Sequence, residues 1–364
     1  MLNVGLNLVF LIPGETGGME TAARETIPHL AAVDDLCLTL FVNREGAGTF
    51  GGIAEEVVVP VNATSRIEWV RGEQQFIPRL AASRGCEVVH SLGSTAPLRG
   101  AFKRVTTIHD LNYRMVPDSH FGLRGLGMRA LVPAAARRSD RLIVDAESTR
   151  QDLRDLLKVD PGKVDVVPLG VTPGAGEPAP SAELRAALDL PDGPLVLCPG
   201  AKRPHKNAHG VIEALGLMED PPALVVTGYS SPYEQRLREL ADVRGVNLRM
   251  PRYLDKAGLD GLYALASCVV VASFYEGFGL PVLEAMVRGV PVVCANRASL
   301  PEVAGDAAAL VDPDDPADIR RGIERALADP EPLRASGRQR AAAFTWERTA
   351  RLTVETYRRA LASA

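Results

Sequence analysis

Residues 272–293 read ASFYEGFGLPVLEAMVRGVPVV. An apolar run ending near Ala272, a Gly-rich turn and a second apolar stretch predict strand, turn and helix in that order. Gly277 and Gly279 give the turn access to unusual backbone dihedrals. Leu280 opens the helix, with Pro281 in the first turn, where a missing N–H removes no hydrogen bond. Backbone amides around Phe278, Gly279, Leu280 and Val282 then point out of the helix start, and with the macrodipole they make an anion site.

Two carboxylates flank that site, Glu276 in the turn and Glu284 one helical turn further on. A phosphate alone between two acids would be repelled. Sugar hydroxyls, in contrast, donate readily to a carboxylate in adjacent pairs. A nucleotide-sugar carries hydroxyls on its ribose, a diphosphate in the middle and further hydroxyls on the sugar. Glu284 suits the ribose, Glu276 the sugar, and the amides the diphosphate. Singly, Glu284 is better read as a complement to the helix dipole and Glu276 as a solvated loop residue. Together, at this spacing and with GFGLP between them, they point to a site.

Outward from this stretch, short Val/Leu/Ile/Cys runs alternate with longer amphipathic ones, the pattern of parallel sheets covered by helices. One series of strands runs from NVGLNLVFL near the N-terminus through LCLTLFV, EEVVVPV, EVVHSL, RVTTIHD and RLIVDA to KVDVVPLGV. A second begins at PLVLCPG and continues through ALVVTGY, NLRMPRYL, SCVVVAS and PVVCAN to AALVD. Between them, residues 172–192 are rich in Pro, Gly and Ala without apolar period and are expected to be a linker. The predicted domains are 1–172 and 173–345, each doubly wound, with a ligand cleft at the carboxyl ends of the strands. The segment 346–364 is an amphipathic helix with Thr345 as its N-cap, expected to return to the first domain.

The net charge of −4 and an aromatic content of 5% exclude a general nucleic-acid binder, which needs a basic face and stacking platforms. Five isolated cysteines without a C-x-x-C pair suit reduced core thiols in the cytoplasm. No apolar run reaches the ~18 residues of a membrane span. FGLRGLGMRALVPAAARRSDR, with Arg124, Arg129, Arg137, Arg138 and Arg141, is expected to be a solvated helix packed on its domain. Peripheral contact with the inner face of an anionic membrane is the second reading of the same cations.

YEGFGLPVLEAM, with seven residues between its two glutamates, resembles the retaining glycosyltransferases of family 4, which have the GT-B fold of two Rossmann-like domains facing a cleft. The likeness extends to GVPVVCANRASLPEVAGDAAALVDPDDP and, more loosely, to nearly the whole chain. It implies that Glu276 contacts the donor sugar and Glu284 the donor ribose, with no metal ion at the diphosphate and no other cofactor. In LCPGAKRPHKNAHGVIEAL (197–215), whose Gly200 is a donor-binding candidate, Lys206 takes the place of the family's phosphate-binding lysine. Many members have an arginine directly after the glycine, where this chain has Ala201, and Arg203 is assigned that role instead. Lys202 is read as solvated or as part of the same cationic loop.

Other positions follow from the same resemblance. In TIHDL, His109 matches a histidine that approaches the donor sugar, and Asp110 either orients His109 or meets the acceptor. Gly17 and Gly18 match a Gly-rich loop beside the diphosphate, although no dinucleotide fingerprint is present. Ser148 and Thr149 are read as helix caps, and Glu302 as a helix-start acid or a residue behind the nucleotide. The expected activity is transfer of a hexosyl group from a UDP-, GDP- or dTDP-linked donor to a hydroxyl acceptor. The acceptor is not legible, because it is shaped by loops such as TFGGIAEE and SHFGLRG. A non-catalytic nucleotide-sugar sensor and a GT-B phosphorylase or epimerase are the alternatives.

Overall fold

The computed structural model describes residues 1–116, 123–174, 179–251 and 254–363. The chain forms two compact units, Met1–Gly170 with Thr345–Ala364, and Val171–Phe344. In the first, a seven-stranded sheet holds β1 (Leu2–Leu8), β2 (Leu36–Val42), β3 (Glu55–Val58), β4 (Val88–Ser91), β5 (Lys103–Thr107), β6 (Arg141–Val144) and β7 (Val164–Val166). The order is β3-β2-β1-β4-β5-β6-β7 and every pairing is parallel.

The second unit contains β8 (Leu195–Cys198), β9 (Ala223–Val226), β10 (Leu248–Arg249), β11 (Cys268–Val271), β12 (Val292–Ala295) and β13 (Ala309–Val311). These six also pair in parallel, in the order β10-β9-β8-β11-β12-β13. All four residues of β8, β9, β11 and β12 are buried. Helices cover both faces of such a sheet, so its strands are continuous apolar runs without alternation.

In both sheets the strand order reverses beside the first strand, between β1 and β4 and between β8 and β11. Chains leaving the two central strands at that point part to opposite faces and open a crevice at the carboxyl ends. In the second unit those ends lead into the 199–207 and 272–279 loops. Gly228, after β9, lies under the first of them. Its φ is +93°, and an added Cβ would come within 2.1 Å of the Gly200 carbonyl oxygen. Gly228→Ala should therefore cost about 2 kcal/mol or more and lower the melting temperature by roughly 4–8 °C; an unchanged melt would contradict this packing.

Two expectations are corrected here. The 172–192 stretch contains a helix, Ser181–Ala187, whose buried Leu184 packs over Gly261. Seven residues are too few to show a period, and packing on a neighbour holds a helix that propensity alone would not. Among the described residues NLRMPRYL yields only Leu248–Arg249 as strand; Pro251 has no N–H for the ladder.

The C-terminal helix Trp346–Ala362 belongs to the first unit. Thr345 caps it by accepting from the Arg348 N–H. Its Tyr357 is buried, and the hydroxyl lies 2.8 Å from Nδ1 of His90 on β4. His90 Nε2 lies 2.7 Å from the Thr107 hydroxyl. Burial, and then the nearby His109, push the His90 pKa down to about 3, so this imidazole is a neutral core group.

Candidate active site

The two loops at the switch point of the second unit carry most of the residues singled out above. After β8 the chain passes through Gly200, with φ +127°, into a 3₁₀ turn, Pro204–Lys206, and then the helix Ala208–Leu215. Asn207 joins the turn to the helix in the left-handed conformation, φ +58°. Its Oδ1 accepts from the Gly210 N–H and its Nδ2 donates to the Pro313 carbonyl. That rigid corner aims Lys206 at the neighbouring loop. The Phe274 N–H donates to the His205 carbonyl at 2.9 Å and ties the two loops together.

Lys206 Nζ donates to both oxygens of Glu276, at 2.7 and 2.8 Å, and the Ser273 hydroxyl donates to Oε1 at 2.7 Å. Burial opposes the charge on Glu276. The Lys206 ammonium, its hydrogen bond and that of Ser273 outweigh it, and the carboxyl is held below its ordinary range. A depressed folded-state pKa means that the pair stabilises at neutral pH and is lost as pH falls through the lowered value.

The Ser299 hydroxyl lies 2.9 Å from the Glu276 carbonyl and 2.6 Å from that of Phe278, which fixes the turn from below. Gly279, at φ +117°, precedes the helix Leu280–Val287 without a side-chain cap. Among the described residues the N–H groups of Phe278, Gly279 and Leu280 make no hydrogen bond. The Val282 N–H, expected to be open as well, donates to the Gly279 carbonyl at 2.9 Å, because the helix begins with a tight three-residue turn. Three amides, rather than four, form the open end.

Glu284 is held from behind. The buried Tyr263 donates its hydroxyl to Oε2 at 2.8 Å, on the helix Lys256–Leu265. Arg288 lies over the Tyr263 ring, 4.8 Å from its centroid, and donates to Asp260 Oδ1 and to the Glu284 carbonyl. Burial pushes the Glu284 carboxyl up, and the Tyr263 donation and the Arg288 charge offset part of that rise.

Lys202 is not solvated. It is 1% exposed, and Nζ donates to the carbonyls of Gly228 and Pro251 at 2.8 and 3.1 Å, with Glu234 at 3.3 Å. It is a structural pin beneath the loop. Lys202→Ala should destabilise by about 3 kcal/mol by leaving buried partners uncompensated, read as a lowered denaturation midpoint. Arg203 is partly exposed, and its guanidinium makes no hydrogen bond or ion pair among the described residues.

The first unit has its own polar centre past β5 and β6. His109 Nδ1 lies 2.7 Å from Asp145 Oδ2, and Nε2 lies 3.1 Å from the Leu92 carbonyl. Both ring nitrogens face acceptors, which calls for two protons. Burial works against that charge, but Asp145 outweighs it and the His109 pKa is raised. The imidazolium should persist above pH 6.5 in an NMR titration, and its stabilisation should fade as pH rises through the raised value. Asp145→Asn should bring the midpoint down; an unmoved midpoint would contradict the pairing.

Asp110 does not take the orienting role. Its carboxylate accepts from the N–H and side-chain amide of Asn112 in a tight local turn, and Asp145 occupies His109 instead. Asp145 was missed, although an acid closing the apolar run RLIVDA at a strand end was the available signal. Ser148 and Thr149 lie inside the first turn of the helix Glu147–Leu157, whose N-cap is Ala146, so neither caps it. Gly17, at φ +64°, precedes the helix Gly18–Ala31. Glu20 accepts from the Gly14 N–H at 2.9 Å and pairs with Arg24, which fastens that loop. Glu302 stands in the first turn of the helix Leu300–Ala304.

Arg129, Arg137 and Arg138 are exposed, whereas Arg141 is paired with Asp165 at 2.6 Å. The Arg124 side chain and residues 117–122 of the SHFGLRG region lie outside the described residues. Among the described residues no helix is long and apolar enough to cross a membrane, and no group of His, Cys, Asp or Glu could hold a metal ion.

An uncapped helix start at a doubly wound switch point can take an anion, and the lysine–carboxylate pair and second acid beside it offer acceptors for hydroxyl groups. Comparison with known proteins makes the class specific. The family described as Glycosyl transferases group 1 matches residues 181–343, and Glycosyltransferase Family 4 matches residues 16–174. O-antigen chain mannosyltransferase B of Escherichia coli is 31% identical over 70% of this chain and 70% of its own length. D-inositol 3-phosphate glycosyltransferase of Mycolicibacterium vanbaalenii is 33% identical over 66% of this chain, which spans 56% of that protein. This chain spans 34% of another relative, the serotype-specific mannosyltransferase WbdA of Escherichia coli, at 32% identity. The chain belongs to the family 4 glycosyltransferases.

Its fold is GT-B, like that of sucrose-phosphate synthase from Thermosynechococcus elongatus (TM-score 0.79, 22% identity, all of both chains). The Anabaena HepE structure with UDP-glucose has a TM-score of 0.75 at 17% identity, over 98% of this chain and 99% of that one.

Proposed function

We propose that this chain transfers a hexosyl group from a nucleotide-diphosphate sugar to a hydroxyl acceptor, with retention of configuration and without a metal ion at the diphosphate. The observation that carries this reading is the Lys206–Glu276 pair beside the open amides of Phe278, Gly279 and Leu280. An ammonium has three donors, so Lys206 can keep Glu276 and also take a phosphate oxygen. Arg203, a planar fork with no partner to give up, adds charge as the diphosphate departs.

Glu276 accepts from the sugar hydroxyls and Glu284 from the ribose. The leaving phosphate oxygen accepts the acceptor's proton on the same face of the sugar, which needs no separate general base. In the first unit, Gly17 and Gly18 serve the donor diphosphate, His109 the donor sugar and Asp110 the acceptor. The relatives named as mannosyltransferases and the UDP and UDP-glucose of the HepE structures support a hexosyl nucleotide as donor. The setting is the cytoplasm. With a lipid-linked acceptor, Arg129, Arg137 and Arg138 are the cations that would meet an anionic membrane.

A thermal-shift panel of UDP-, GDP- and dTDP-sugars tests the reading. At 100 times Kd the right donor stabilises by about 2.7 kcal/mol, a rise of roughly 5–10 °C for a unit of this size. A flat response to the whole panel would count against a nucleotide-sugar donor.

A further inference from the structure

Glu284 lies on the helix Leu280–Val287 and Tyr263 on the helix Lys256–Leu265, and their contact is elaborate for a surface acid. Tyr263 is 1% exposed, while Glu284 is only partly buried. The phenol donates to Oε2 at 2.8 Å, and Oε1 has no hydrogen-bond partner among the described residues. Behind the phenol, Arg288 sits over the ring and is itself fastened to the buried Asp260 through Nε at 3.1 Å. Arg288 also donates to the Glu284 carbonyl at 2.8 Å, so the guanidinium joins the side chain that holds the acid to the backbone that carries it. A free glutamate has three side-chain torsions to fix on binding, and each immobilised side chain costs about 0.5–1.5 kcal/mol. Here the fixing is done before the ligand arrives.

We infer that Tyr263 is a positioning residue for the nucleotide, holding one oxygen of Glu284 so that the other alone is presented to a ribose hydroxyl. The inference rests on the assignment of Glu284 to the ribose. Tyr263 itself touches no substrate, and its effect passes through the acid. Two consequences follow from the single open oxygen. The contribution of this oxygen depends on hydroxyls of the ribose and not on the base. Loss of the phenol removes the donor to Oε2 and frees the carboxylate to turn, which weakens only the part of the affinity that the ribose hydroxyls supply.

The test is the binding of UDP and GDP, and of their 2′,3′-dideoxy forms, to wild type, Tyr263→Phe and Glu284→Gln by calorimetry. For wild type, the better of the two nucleotides should bind about 10-fold more tightly than its dideoxy form, the scale of a charge-assisted hydrogen bond. Glu284→Gln should remove most of that ratio. Tyr263→Phe should reduce it about 3- to 10-fold while binding the dideoxy form as wild type does, which also shows that the variant is folded.

If Glu284→Gln abolishes the ratio and Tyr263→Phe keeps it, Tyr263 is only structural and the inference falls, with the ribose assignment intact. If wild type does not discriminate, the ribose assignment falls and the inference with it. Should Tyr263→Phe bind neither form, 3-fluorotyrosine at position 263 gives a second reading in a protein of unchanged shape. Its fluorine resonance should move on adding the ribose nucleotide and stay with the dideoxy form; equal movement, or none, overturns the inference.

Discussion

Lys206→Ala is expected to lower kcat/KM for glycosyl transfer by about 10²–10³, the range for removing one preorganised group from a site of developing charge. The loss has two parts. The departing diphosphate loses an ammonium that the Asn207 corner already holds in place. Glu276 loses the charge that keeps its carboxyl low, so burial drives it towards the protonated form and weakens its acceptance of sugar hydroxyls. Lys206→Arg should restore little, since a guanidinium fork needs more room than a point charge on two carboxylate oxygens. The thermal midpoint should fall as well, because Glu276 is 11% exposed and loses its counter-charge. Single-turnover rates with the preferred donor decide the matter, and wild-type turnover would remove Lys206 from the site.

Glu276→Gln is expected to cost a comparable 10²-fold or more. The amide keeps the shape and one acceptor oxygen but forfeits the ion pair with Lys206 and turns a second acceptor into a donor. Because Lys206 and Glu276 act as one unit, their effects should not add. The double variant Lys206→Ala with Glu276→Gln should lose about as much as the weaker single variant, leaving a coupling of about 2 kcal/mol or more. Simple additivity would mean that the 2.7 Å contact has no part in transfer.

The fold was legible because the central strands are short apolar runs, wholly buried in LVLC, CVVV and VVCA of the second sheet and in VVHS of the first, whose pattern admits little else. Leu280, Pro281 and the Thr345 cap were equally plain, since each follows from local backbone chemistry. What escaped notice depends on contacts across the sequence. Asp145 meets His109 from 36 residues away, and Tyr263 meets Glu284 from 21. The acid at the end of RLIVDA was visible, but nothing local names its partner, and the Tyr263 pairing has no local signature at all. Lys202 looked like a solvated cation in a basic turn because nothing near it in sequence shows that Gly228 and Pro251 close over it. Asp110 looked suited to orient His109, but a carboxylate followed two residues later by an amide turns onto its own backbone.

A crystal structure of the protein with the nucleotide-sugar that the thermal panel selects tests the central claim most directly. Diphosphate oxygens should lie about 3 Å from the amide nitrogens of Phe278, Gly279 and Leu280, with sugar hydroxyls on Glu276 and a ribose hydroxyl on Glu284. A nucleotide bound elsewhere, or one whose hydroxyls leave both glutamates untouched, would contradict it.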